Sequence, residues 1–359
     1  MDIKRLKVDL QFYGVKIDSL KERVRATGAG PASNITFSIK DIPINAPVAE
    51  FLIKSTPYEI KNDFDVFRLF KSNEYITEII FPKIPDFYNQ KTEKGIPYYK
   101  IALFHGCDCI ATTVFQNCNL WRDGSQCKFC AIEFSLKNDA TVPVKSPEDL
   151  AEVAAYAKEN DGISYFTLTT GSLKNPDNLL KHLCNCIKSI KTKAGIPVHI
   201  QISPTIDLKG IKELHNAGAD TIGIHIESFD KKVRNDLLPG KNKIDIKTYI
   251  LFWKEAVKIF GKNQVSSFIV TGLGESKDSV IEGSEMLCEL GVYPNIVPLH
   301  PVPQTPLAFK RSLEPEKQIE LYEKVSFFLN KYNLSWKNSL AGCVRCRSCS
   351  AISEFENSI

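Results

Sequence analysis

Eleven cysteines stand at 107, 109, 118, 127, 130, 184, 186, 288, 343, 346 and 349, and all but Cys288 have another cysteine close by in sequence. In a reducing compartment such grouping argues against disulfides and toward thiolate ligands for a metal or cluster. Cys118, Cys127 and Cys130 form C-x8-C-x2-C in a segment that ends Gln126-Cys127-Lys128-Phe129-Cys130 and directly follows an expected strand. Three thiolates on one loop can hold three irons of a [4Fe-4S] cluster and leave the fourth open to a small ligand. The alternative is a structural zinc site, which takes four protein ligands, usually from two C-x2-C knuckles. Cys127 and Cys130 with Cys343 and Cys346 meet that count but leave Cys118 over.

The second group, Gly342-Cys343-Val344-Arg345-Cys346-Arg347-Ser348-Cys349-Ser350, is C-x2-C-x2-C, a density like that of bacterial ferredoxin ligation. Three close thiolates would cap one face of a second cluster. The fourth ligand is then Cys107, with Cys109 or a hydroxyl such as Ser350 as alternatives. Arg345 and Arg347 would offset the negative charge of cluster and thiolates. A zinc-bound or flexible cysteine tail is the plainer reading. Cys184, Cys186 and Cys288 fall inside expected helices and read as buried small apolar residues.

The elements that must position these groups alternate in type. From about Tyr98 short apolar runs interleave with longer amphipathic ones, which is the α/β signature. The expected strands are Tyr99 to Phe104 with Ile110 to Phe115, Tyr165 to Thr169, Val198 to Ile202, Thr221 to Ile226, Val265 to Val270 and Asn295 to Leu299. The expected helices are Pro147 to Glu159 capped by Ser146, Pro176 to Lys191, Leu208 to Ala217 opened by Asp207, Ile246 to Phe260, and Ser279 to Leu290 opened by Asp278. Such repeats close into a partial or full barrel or into a doubly wound sheet, and spacing does not choose between them. Residues 1–98 read as a separate mixed α+β segment: a polar helix near Leu20 to Ala26, a turn at Gly28 to Pro31, and a strand whose Ile35, Phe37 and Ile39 share one face. Residues 99–305 form the α/β core. Residues 306–359 hold one helix, Pro315 to Lys331, and the cysteine-rich tail.

A chain of 359 residues with 43% hydrophobic and 25% charged residues is ordinary for a globular protein and excludes fibrous and disordered classes. The net charge of +4 is spread along the chain, so nucleic acid is not an expected partner. Lys188, Lys191 and Lys193 are the one hint of a basic surface. No stretch nears the ~20 apolar residues of a membrane span, and Met1 to Arg5 lacks the apolar core of a signal peptide. The expected location is cytoplasmic.

With its Cys loop and C-x-F-C ending, the sequence resembles the radical S-adenosylmethionine (radical SAM) superfamily over about residues 99–305. The superfamily's usual spacing is C-x3-C-x2-C, and the first gap here is eight. The resemblance implies an α/β fold, a partial or full (βα) barrel of radical SAM type. It also implies a [4Fe-4S] cluster on Cys118, Cys127 and Cys130 whose open iron chelates the amino and carboxylate groups of SAM. One electron would cleave SAM to a 5'-deoxyadenosyl radical, which abstracts hydrogen from an unactivated carbon. Thr169, Thr170, Gly171 and Ser172 stand where the superfamily receives the methionine amino group. Glu227 stands where a polar residue meets the ribose or amino acid, Ser203 and Arg234 near the SAM carboxylate, and Gly272 and Gly274 near the adenine, with Val297 and Pro298 as its neighbours.

Two cysteine groups give the chain the look of a remote relative of the sulfur-inserting branch, biotin synthase and lipoyl synthase. The tail does not match the auxiliary motif of lipoyl synthase, which is N-terminal with wider gaps. Gly28 to Pro31, Cys127 to Ile132 and the tail resemble a radical SAM family found beside nitrilase-type genes. The resemblance implies a small-molecule or carrier-bound substrate and an electron donor such as flavodoxin or ferredoxin. Methyl transfer, dehydrogenation, tRNA modification and a non-catalytic zinc or iron-sulfur scaffold are the competing readings.

Overall fold

The computed structural model describes residues 1–17, 33–64 and 66–356. The expected helix near Leu20 to Ala26 and the Gly28 to Pro31 turn lie outside the described residues. In the N-terminal segment, β1 (Lys16–Ile17), β4 (Tyr58–Asp63), β5 (Val66–Lys71) and β6 (Glu74–Ile79) form one sheet, and β2 (Asn34–Ile39) pairs with β3 (Ile42–Pro47). Alternation along β2 works as the residue types dictate. Ile35, Phe37 and Ile39 are buried with Leu6, Leu10 and Leu69, while Thr36 and Ser38 turn to the other, half-buried face.

The main sheet has seven strands: β7 (Leu103–His105), β8 (Cys109–Thr113), β9 (Tyr165–Thr169), β10 (Val198–Ile202), β11 (Thr221–Ile224), β12 (Val265–Thr271) and β13 (Tyr293–Pro298). Spatial order follows chain order, and every pair is parallel except β7 with β8. A doubly wound sheet reverses its strand order at a switch point. Here each βα unit adds to the same edge, so the sheet curls into a half-barrel. On β10 the consequence is a polar concave face: Val198, Ile200 and Ile202 join the apolar core, leaving His199 and Gln201 on the inside.

Ser146, Asn175, Asp245 and Ser276 cap the helices Pro147–Asp161, Pro176–Lys193, Ile246–Phe260 and Lys277–Glu289. The last of these starts earlier than expected: Ser276 takes the cap, and Asp278 sits in the first turn, where its charge suits the helix dipole. Asp207 bonds the Lys209 amide, and the helix that follows runs only from Gly210 to Asn216. The expected strand at Tyr99 to Phe104 is largely a helical turn, Tyr98–Ile101, started after Pro97, leaving β7 three residues.

The tail closes the open side of the curl. Helix Gly342–Cys346 packs against β9, β10, β11 and β13, and Ser350 donates to the Ile296 carbonyl at 2.5 Å. The first helix, Ile3–Tyr13, holds the tail in place. Lys7, wholly buried, donates to the Arg347 carbonyl and to Glu354, both at 3.0 Å, and Gln11 donates to the Ser348 carbonyl at 3.2 Å. A buried ammonium is tolerated because it is paired and hydrogen-bonded.

Candidate functional site

Beyond the C-terminal ends of the parallel strands the concave face opens into a cavity of about 450 Å³. Active sites of βα barrels sit at this end because the loops there come from many strands. Cys118, Cys127 and Cys130 line the cavity from the loop after β8, and Thr169, Thr170, Gly171 and Ser172 line it from the loop after β9. Ser203, Glu227, Val270, Val297 and Pro298 complete much of the wall.

The first two loops are stitched together. The Ser172 amide donates to Cys118 Sγ at 3.4 Å, and the Asn119 amide donates to the Ser172 carbonyl at 2.8 Å. Their approach is so close that a side-chain carbon on Gly171 would fall 2.3 Å from the Asn117 carbonyl oxygen. Glycine is required there by space. On its other side the cysteine loop is anchored by the Lys128 amide to Leu237 and by the Gly240 amide to the Ser125 carbonyl. Burial raises the thiols of Cys127 and Cys130, so ligation must displace their protons.

Among the described residues no three His, Cys, Asp or Glu side chains converge on the point a single metal ion would occupy. Cys127 and Cys130 line the cavity, and Cys343 and Cys346 do not.

Glu227 continues β11 by a parallel bridge to Ile269 and adopts a left-handed backbone, φ 61°. That strained conformation turns the carboxylate into the cavity. Its Oε1 accepts from Lys241 Nζ at 2.5 Å, whereas Oε2 is buried without a partner. Burial pushes the carboxyl above its ordinary value, against the pull of Lys241. An orphaned buried carboxylate oxygen calls for a donor, and a ribose hydroxyl supplies one. Three cysteines on one loop, hydroxyls and carbonyls facing them, and this oxygen fit a [4Fe-4S] cluster with SAM.

Three sequence candidates stand elsewhere. Arg234 is buried behind the wall, donating to the carbonyls of Lys241 and Ile244 at 3.2 and 2.9 Å and stacking over Tyr249. Its place in the fold is to hold the turn that carries Lys241. Gly272 and Gly274 give their amides to the Glu275 carboxylate at 2.8 and 2.9 Å, just past the lining residue Val270. Sequence reasoning missed Lys241, Gln201 and His225, all of which line the cavity. Strand alternation signals Gln201 as a polar inward residue between Ile200 and Ile202. Nothing local signals Lys241.

The second cysteine group lies deeper, toward the N-terminal ends of the strands. Cys346 packs with Cys109, Tyr165 and Ala341, and Cys349 Sγ is 3.9 Å from His105 Nε2. Cys107 is exposed. The Ser350 hydroxyl is committed to Ile296. Gln201 connects the two regions: it lines the cavity and donates to Cys343 Sγ at 3.4 Å.

Known proteins resemble this chain in sequence and in fold. The sequence model described as the Radical SAM superfamily matches residues 113–287. Bacteriochlorophyllide c C-7(1)-hydroxylase of Chlorobaculum limnaeum is 22% identical over 92% of this chain and 88% of its own length. Biotin synthase of Geotalea uraniireducens (strain Rf4) is 27% identical over 59% of this chain, which spans 62% of that enzyme. The crystal structure of a maturase of the [FeFe]-hydrogenase superposes with a TM-score of 0.49 at 17% identity, over 64% of this chain and 50% of that one. Over residues 113–287 this chain is similar to the radical SAM superfamily. Among the described residues no helix is long and apolar enough to cross a membrane.

Proposed function

We propose that this radical SAM enzyme abstracts hydrogen from an unactivated carbon of a substrate held in the cavity, and that the reaction inserts sulfur as in biotin or lipoyl synthesis. Bound there, a [4Fe-4S] cluster and SAM supply the 5'-deoxyadenosyl radical. The observation that carries the reading is the convergence of Cys118, Cys127, Cys130 and the unpaired Glu227 oxygen on one cavity. Cys118, Cys127 and Cys130 hold the cluster. Thr169, Thr170, Gly171 and Ser172 meet the amino group with carbonyls and hydroxyls, Glu227 meets the ribose, Ser203 meets the carboxylate end, and Val297 and Pro298 flank the adenine. Lys241 holds Glu227 in place, and the stacked rings of His225 and Phe268, 3.9 Å apart, wall the cavity against water.

Sulfur insertion is favoured by the position of the tail. A second cluster on Cys343, Cys346 and Cys349 would stand one side chain, Gln201, from the cavity. The substrate is a small or carrier-bound molecule, and the electron comes from a flavodoxin- or ferredoxin-like donor. Hydroxylation of a C-H bond is the second reading, because the hydroxylase relative aligns over nearly the whole chain, whereas the biotin synthase aligns over little more than half.

The test is anaerobic reconstitution with iron and sulfide, followed by reductive SAM cleavage. About eight irons per chain and release of 5'-deoxyadenosine support the reading. About four irons with cleavage removes sulfur insertion and leaves the radical chemistry standing.

A further inference from the structure

We propose that Cys109 is the fourth thiolate of the second site, joining Cys343, Cys346 and Cys349 around a cluster enclosed in the half-barrel with no iron left open; this rests on reading the tail as a cluster site. The β7–β8 hairpin pairs His105 with Cys109, and directly opposed residues of an antiparallel pair project to the same face. That face is the concave one: Cys109, fully buried, packs with Cys346 and Tyr165. The hairpin turn is wrapped onto the tail. A side-chain carbon on Gly106, whose φ is +65°, would fall 2.6 Å from Cys346 Sγ. Cys107, at the turn itself, is exposed.

A second observation points to a ligand in the same place. The Tyr165 hydroxyl is buried with no hydrogen-bond partner, beside Cys109 and Cys346, which themselves approach the hydroxyls of Thr167 and Ser348 at 3.7 and 3.2 Å. An orphaned phenol there is a donor waiting for an acceptor, and cluster sulfide or ligating thiolate is one. Four protein thiolates would leave no iron of this cluster open to a substrate, so that its sulfides or its electrons are what it can supply.

The experiment uses the full chain carrying Cys118→Ala, Cys127→Ala and Cys130→Ala, so that only the second cluster is seen. After anaerobic reconstitution, iron is counted and the reduced protein is examined by electron paramagnetic resonance. The expected result is about four irons in this background. Cys109→Ser then loses most of that iron or shifts the signal, while Cys107→Ser and His105→Ala change neither. Iron and signal retained by Cys109→Ser, or lost with Cys107→Ser or His105→Ala instead, overturn the assignment. A background protein without iron overturns the tail reading and this proposal with it, while reductive SAM cleavage by the unaltered chain stands apart. Should Cys109→Ser not fold, cyanide added to the background protein decides: an unchanged signal supports four protein ligands, and a changed one reveals an open iron and overturns them.

Discussion

Cys118, Cys127 and Cys130 lie on a loop at the C-terminal ends of the strands, facing a cavity and a carboxylate oxygen without a partner. Cys343, Cys346 and Cys349 lie under a hairpin turn, on the tail segment that packs against the strands and is held by the first helix. Both groups contain a C-x2-C pair, yet one lines a cavity with room for a ligand and the other is packed against the strands and the first helix. What a cysteine group can do is therefore decided by the neighbouring chain: a group on a cavity wall has room for a ligand beside it, and a group packed among side chains has less.

Removing each group in turn tests that contrast most severely. Cys118→Ala, Cys127→Ala and Cys130→Ala together should lower bound iron by about four per chain and reduce 5'-deoxyadenosine release to background. Cys343→Ala, Cys346→Ala and Cys349→Ala together should remove a similar amount of iron and abolish product while SAM cleavage continues. Loss of cleavage in the second variant, with the fold intact by circular dichroism, would break the comparison.

Smaller changes sharpen it. Lys241→Met leaves a buried carboxylate unpaired and should destabilise the protein by roughly 3 kcal/mol, read from denaturant unfolding of the metal-free form. Gly171→Ala forces the cysteine loop away from the β9 loop. It should cost about 1–3 kcal/mol and speed the loss of first-site iron to a chelator, with the second site unaffected. Gln201→Leu should cost about 1 kcal/mol and leave SAM cleavage intact, yet lower the product formed per SAM cleaved. An unchanged ratio there would show that Gln201 does not link the two regions.

Much of the scaffold was legible because local pattern and tertiary burial agree. Tyr165 to Thr169 and Val198 to Ile202 occupy the expected residues, since apolar runs between capped helices have few other uses. The choice of a half-barrel was not legible, because strand order depends on which edge each βα unit joins. The Cys118, Cys127 and Cys130 loop could be read from spacing, and its meeting with Gly171 could not. Arg234 was found on its helix, but its guanidinium turns to the carbonyls of residues 241–244, which fold under it. Lys241 was invisible for the same reason: its partner Glu227 is supplied by tertiary contact and not by sequence neighbours.

The bond from Lys7 to the Arg347 carbonyl spans 340 positions of the chain. Contacts of that separation form late, since the intervening loop must close first. During synthesis the loop bearing Cys118, Cys127 and Cys130 leaves the ribosome long before Cys343 exists. The second cysteine group, in contrast, is assembled only when residues 342–350 have emerged and the first helix has packed against them. On the proposed reading, iron delivery to this protein would then have an order in time, with the second cysteine group filled after the first.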